Sequence, residues 1–382
     1  MLFRQRNQPS CLSSKVQMPT KSNGGPKHIV YLFGAGATQA EVDYLGAQVV
    51  NLLMHDSDRL GDGVSTRILR RFARNWQSFL GEEQDIDIEK LISLLAASGV
   101  DKLANLAEKM RRHYFEEIQE SLVRAKIVAR PQLATGLLEM HTDRRFKSEV
   151  ETLCGIMTTN HDGLLQIASQ NVFGAVNLGF AFSSKEFVPA NSRAVPPVLQ
   201  LHGSFTWRFA LPLDVDTLRS TATYSPKTLW IPPSILKESK TYPFNKLTAL
   251  AYELLTKQCD VLRVVGASLT QNDWNVLSLV FNAQRHRELV KGSAFKVELI
   301  MPHKTGEDIQ EECSYLKNTT PVGYLTEGEF ADYKEGLPPP ESQLTNVFAY
   351  WLKEKIQYHR RRGDFSRSAL TPMMAAIAGE AS

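Results

Sequence analysis

Four short apolar runs in this chain end in the same way, on glycine or on a small polar residue. His28–Phe33 (HIVYLF) stops at Gly34-Ala35-Gly36, Thr152–Thr159 (TLCGIMTT) at Asn160, Pro197–His202 (PVLQLH) at Gly203-Ser204, and Asp260–Gly266 (DVLRVVG) at Ala267-Ser268. Runs this short and this apolar are strands buried on both faces, a property of parallel sheets sheathed by helices. Helices over Asn245–Lys257 and Asn272–Arg287 and a strand over Phe295–Met301 complete a βαβ alternation. Further strands are expected at Phe173–Leu178 and Ser204–Phe209, and the polar segment Leu211–Tyr242 reads as an insertion or long loop. The fold class is therefore α/β, a mostly parallel sheet with helices on both faces. Between the first two strands, from about residue 40 to 150, the pattern is helical: Ile88, Leu91, Ile92 and Leu95 share a face, and AEKMRRHYFEEIQE reads as solvated surface.

At 382 residues the chain is long enough for two domains or one large domain with an insertion. A net charge of +3 announces neither a nucleic acid nor a membrane surface. No run approaches the roughly 18 apolar residues of a spanning helix. Cys11, Cys154, Cys259 and Cys313 are scattered without a CxxC pair, which gives neither a zinc ribbon nor a disulfide framework and suggests a reducing, cytoplasmic setting. Residues 1–27 read as a basic disordered tail, 28–335 as the main domain, and 336–382 as a last helix and tail. The cluster His359–Arg362 reads as a basic helix end that complements the helix dipole, so no direct reading of nucleic acid is expected.

The ends of the strands carry the chemistry. Gly34-Ala35-Gly36-Ala37-Thr38 lies where strand gives way to helix, a turn at which backbone N–H groups and the helix dipole hold a phosphate; a turn required only for packing is the alternative. Gln39 replaces the third glycine of a dinucleotide fingerprint, and no ribose-binding acid follows about 20 residues later, which argues against an ordinary dehydrogenase. Thr158-Thr159-Asn160-His161-Asp162 reads equally as a helix cap and as a site. His202 is a lone imidazole at a strand terminus, structural unless other site elements converge on it.

Taken in order, GAGAT, TTNHD, LHGSFTW and GASLTQNDW resemble the sirtuin superfamily, in particular the divergent bacterial sirtuin-like domains that hydrolyse NAD in antiphage defence. The resemblance covers about Ile29 to Asn282 and implies a Rossmann-like sheet with NAD, the substrate, across its carboxyl edge. It implies Asn160 and His202 as catalytic residues, His202 as general base and Asn160 ordering the ribose and a water. Gly34, Ala35, Gly36 and Thr38 would hold the pyrophosphate, Asp162 the nicotinamide amide, and Gly266, Ser268 and Asp273 the remaining cofactor contacts. Ordinary sirtuins carry a four-cysteine zinc module after LHG. Here no cysteine follows His202 until Cys259, so no zinc or other metal is expected and NAD glycohydrolysis is favoured over protein deacylation. His161 stands where the family more often has an aromatic or aliphatic residue, and the family's loop after the first glycine motif is not recognisable in AEVDYLGAQ.

The expected products are nicotinamide and ADP-ribose or its cyclic form. The alternatives are a deacylase and a non-catalytic NAD or ADP-ribose sensor. The resemblance also implies a homo-oligomer, or a partnership with a co-encoded HerA-type ATPase, that restrains NAD loss until a trigger arrives.

Overall fold

The computed structural model describes residues 26–41, 67, 71, 88–124, 132–139, 141–142, 151–183, 186–189, 195–208, 214–215, 224–225, 227–234, 237, 239–267, 269, 273–301 and 319–323. Residues 1–25 of the expected basic tail, the helix expected after the PPPE stretch with its arginines, Cys11, Cys313 and Ser268 lie outside them, and Lys27, the last residue of that tail, instead opens the first strand.

Six strands form the main sheet: β1 (Lys27–Phe33), β2 (Glu151–Thr158), β5 (Val198–Gln200), β9 (Val261–Val265), β10 (Lys296–Met301) and β11 (Thr319–Gly323). Every neighbouring pair is parallel, in the order β11-β10-β9-β1-β2-β5. Counted by their appearance in the chain, the six run 3-2-1-4-5-6 across the sheet, the order of dinucleotide-binding sheets. The fold is an α/β, Rossmann-like one.

Alternate residues of each strand enter different layers. Val30, Leu32, Met157, Leu199, Leu262 and Val264 face α6 (Phe244–Gln258) and α7 (Trp274–Lys291), through residues such as Leu247, Leu255, Val276 and Val280. Ile29, Tyr31, Phe33, Ile156, Val198 and Val265 face the opposite layer. That layer holds α1 (Ala35–Glu41), α4 (Gln132–Glu139) and α5 (Leu164–Phe173), with Leu137, Leu138, Leu165 and Ala168 buried. β1 and β9 are apolar almost throughout because helices cover both their faces.

Between β1 and β2, α2 (Ile88–Ala97) and α3 (Asp101–Arg124) pack on each other in the region read as a helical insertion. Tyr114 of α3 stacks on Trp230 at 6.3 Å, and Phe115 meets Phe205 at 4.2 Å between ring centroids. These contacts seat α3 on a small antiparallel sheet of β6 (Gly203–Arg208), β7 (Asp214–Val215) and β8 (Thr228–Trp230).

The structure corrects several element expectations. Phe173–Leu178 is not a strand: Phe173 ends α5, Gly174 closes it in the left-handed conformation, and only an isolated bridge joins Asn177 to Pro197. The amphipathic stretch before it completes its helical turns, and that decides the matter. Part of the expected loop Leu211–Tyr242 supplies β7 and β8. A hairpin of β3 (Phe180–Ser183) and β4 (Glu186–Pro189) and the edge strand β11 are additional.

Candidate active site

Because the sheet is parallel, the carboxyl ends of β9, β1, β2 and β5 lie side by side on one edge. Gly266, Gly34, Asn160 and His202, at or just beyond those ends, are brought to that edge together. The chain leaves β1 toward the layer of α1 and leaves β9 toward that of α7, so the topological switch point falls between these two strands.

At the switch point backbone meets backbone. A Cβ on Gly34 would stand 2.5 Å from that of Ala267, and one on Gly266, whose φ is +60°, would stand 2.2 Å from the Ala37 nitrogen. Only glycine permits the approach. The Gly34 N–H donates to the Val265 carbonyl at 3.0 Å and the Gly36 N–H to the Gly266 carbonyl at 2.8 Å. Two amides expected to face a phosphate thus join the β1 and β9 loops, while Ala35 is exposed at the tip of the turn. Buried Leu269, just beyond Gly266, is held at φ +48°, a conformation that leucine seldom adopts.

The TTNHD segment locks onto this turn. Asn160 Nδ2 donates to the Gly34 carbonyl and to Thr38 Oγ1, both at 2.9 Å. The Thr38 hydroxyl in turn donates to Asp162 Oδ2 at 2.6 Å. Asp162 Oδ1 accepts the Leu164 N–H at 3.0 Å, at the first residue of α5, whose N-cap is Gly163. Burial pushes the Asp162 carboxyl above its usual range, against the pull of these hydrogen bonds. With both hydrogens of its amide nitrogen spent, Asn160 has its carbonyl oxygen left to offer a ligand.

His202 follows β5 and is 3% exposed. Its ring hydrogen-bonds the Thr159 backbone in the sense that favours a proton on the ring, so the partner is the Thr159 carbonyl. Its Nε2 stands 3.3 Å from Asn275 Nδ2. Burial, aided by the positive charge of Lys237, pulls His202 down to about 3, so the ring is neutral at physiological pH.

His161 lies 6.1 Å from His202 between ring centroids, with Phe205 at 5.3 Å and Trp230 at 5.0 Å. Burial first, then His202 and Lys237, hold it well below the ordinary histidine range, and its buried Nδ1 has no hydrogen-bond partner. Lys237, its side chain 6% exposed, pairs with Glu89 of α2 at 3.1 Å and with Asp273. Asp273, expected to contact a cofactor, spends a carboxylate oxygen on that ammonium.

Lys237, Glu89 and Asn275 were not singled out by the sequence reading. Lys237 sits in a stretch without periodicity and Glu89 in a helix whose signal is its apolar face; Asn275 falls one residue past the last of the four motifs, inside the helix expected over Asn272–Arg287. Among the described residues no three His, Cys, Asp or Glu side chains gather as a metal site, Cys154 and Cys259 are free, and no helix is long and apolar enough to cross a membrane. No protein-family model and no curated protein sequence matches this chain.

Proposed function

We propose that the chain is an NAD glycohydrolase, cleaving the bond between nicotinamide and ribose. The observation that carries the reading is the meeting of a buried, neutral imidazole and a fixed carboxamide at the carboxyl edge of a sheet ordered 3-2-1-4-5-6. Ligands of open α/β sheets bind outside that edge, at the switch point. Gly34, Asn160, His202 and Gly266, one from each of the four motifs that resemble sirtuin-like domains, stand at or just beyond the strand ends of that edge.

Nicotinamide leaves as a neutral molecule and needs no acid, while positive charge grows on the ribose as in glycoside cleavage. The protein's task is to orient an attacking oxygen and accept its proton. Neutral His202 has a lone pair for that proton, and the Asn160 carbonyl oxygen accepts a hydrogen bond from a water or ribose hydroxyl. The oxygen of water joins the ribose carbon that nicotinamide vacates, and one proton passes to His202. Since the Gly34 and Gly36 amides are engaged with β9, a pyrophosphate at this turn would rest on other donors, or would require the β1 and β9 loops to part.

Incubation of the protein with NAD alone tests the proposal. Release of nicotinamide with ADP-ribose or its cyclic form is expected, without any acylated peptide. Release that requires the peptide would make the protein a deacylase, and binding without release would make it a sensor. In its biological setting the reading is one of antiphage NAD depletion in the cytoplasm, held in check by self-assembly or by a HerA-type ATPase. Sizing of the protein, alone and with the product of a neighbouring gene, tests that part.

A further inference from the structure

His202 must hold a proton during turnover, yet its surroundings oppose a charge: the ring is buried and Lys237 faces it from the segment before α6. Among the described residues, none of the nearby carboxylates is on hand to balance that charge. Asp273 and Glu89 are paired to Lys237, and Asp162 is held by Thr38 and the Leu164 amide. His161, in the β2–α5 turn, is itself a buried imidazole.

What does meet the ring is Asn275, in the first turn of α7. Its Nδ2 points at Nε2, and its Oδ1 is buried without a hydrogen-bond partner. A buried acceptor left unpaired is costly and rare, and calls for a reason. The Thr159 carbonyl takes the ring's one proton, so Nε2 carries the lone pair and the Asn275 nitrogen is the matching donor for the neutral state. A half-turn of the amide about its last torsion would bring Oδ1 to the same place, as the matching acceptor for a protonated Nε2.

We propose that Asn275 is the positioning residue of His202, an amide that presents its nitrogen to the neutral ring and its oxygen to the protonated one. This rests on the reading of His202 as the general base. Asn275 fixes the tautomer in the resting site, yields Nε2 to the incoming substrate hydroxyl across a long, weak contact, and shares the charge that the proton brings. The orphaned oxygen of the resting state is the acceptor held ready for that second half of the cycle.

The test is nitrogen-15 NMR of histidine-labelled full-length protein, with the His202 signal identified by its loss in His202→Gln, alongside steady-state nicotinamide release. In the wild type, Nε2 is expected as the unprotonated nitrogen of a neutral ring. Asn275→Asp supplies a fixed negative acceptor; it should raise the pH at which His202 takes up its proton by about 1 to 3 pH units and move the acid limb of the rate profile the same way. Asn275→Leu, similar in size, should lower kcat on the order of tenfold or more with little change in KM for NAD. A wild-type ring protonated on Nε2 would overturn the proposal, as would an Asn275→Asp variant in which neither the ring titration nor the acid limb moves. If the ring titration shifts as expected but no variant releases nicotinamide, the pairing stands and the NAD reading falls.

Discussion

Asn160 spends its amide nitrogen on Gly34 and Thr38, so it braces two loops as well as facing the site. Asn160→Ala should therefore reduce nicotinamide release and also cost about 1–2 kcal/mol of stability, seen as a lower urea midpoint. Thr38→Val, which removes only the hydroxyl, should reproduce part of the stability loss, because Asp162 Oδ2 then loses its donor. His202→Gln should lower turnover on the order of a hundredfold or more, as expected for loss of a general base. It should also change how stability responds to acid. The ordinary pKa of histidine, near 6.5, applies to the unfolded chain, whereas the folded value is about 3. Between these limits the unfolded state binds the extra proton, so stability falls as pH drops below about 6.5, by about 1.4 kcal/mol per pH unit, and is unaffected above it. Depressed in the same direction, His161 adds to that slope. Thermal melts at a series of acidic pH values should show a shallower decline in His202→Gln than in the wild type.

At the scale of elements, Lys237 joins α2 to the start of α7 through Glu89 and Asp273. Lysine at this position anchors the region read as an insertion next to the candidate base, and its charge helps keep His202 neutral. Lys237→Met removes the cation and leaves two carboxylates facing each other. The pair is mostly but not fully buried, so a cost of about 1–3 kcal/mol is expected, between the values of exposed and buried pairs. Hydrogen exchange should quicken in α2 before it does in the central strands. The β1 and β9 loops form a second such junction. Gly266→Ala places a methyl group against the Ala37 nitrogen at a positive φ, so the two loops must separate and the melting temperature should drop.

Across the whole molecule, Arg263 sits in the middle of the sheet, 4% exposed, directly between Tyr31 on β1 and Glu298 on β10. Its guanidinium grips Glu151 with two bonds of 2.9 and 2.8 Å, bonds Glu298 at 2.9 Å and reaches the Tyr31 hydroxyl at 3.4 Å. Burial pushes the Tyr31 phenol up to about 12 despite the arginine, and the same hydroxyl meets His141 Nε2 at 2.9 Å. Four central strands, β10, β9, β1 and β2, are thereby tied together by one cation. Arg263→Met should destabilise the protein by about 3–5 kcal/mol, because Glu151 remains buried without its partner. Adding Glu151→Leu should recover part of that loss, since replacing both members of a buried pair with apolar groups is far milder than removing one. Urea unfolding of the single and double variants checks both expectations.

The sequence by itself determined where five of the six strands of the main sheet run, all but the edge strand β11, and which residues stand at the carboxyl ends of β1, β2, β5 and β9. A strand buried on both faces must be a short apolar run, and its end must change to small or polar residues; both are local patterns. Parallel pairing then brings Gly34, Asn160, His202 and Gly266 to one edge. Only the tertiary structure decided what those residues touch. It gave the Gly34 and Gly36 amides to β9, the Asp162 carboxylate to Thr38, and the ring of His202 to an asparagine 73 positions away. It also drew Lys237 out of an unpatterned segment to bridge Glu89 and Asp273. Such pairings join residues distant in the chain and recur with no period. They are fixed by which helices and loops the apolar core brings together, and that is a property of the packed molecule rather than of any stretch of its sequence.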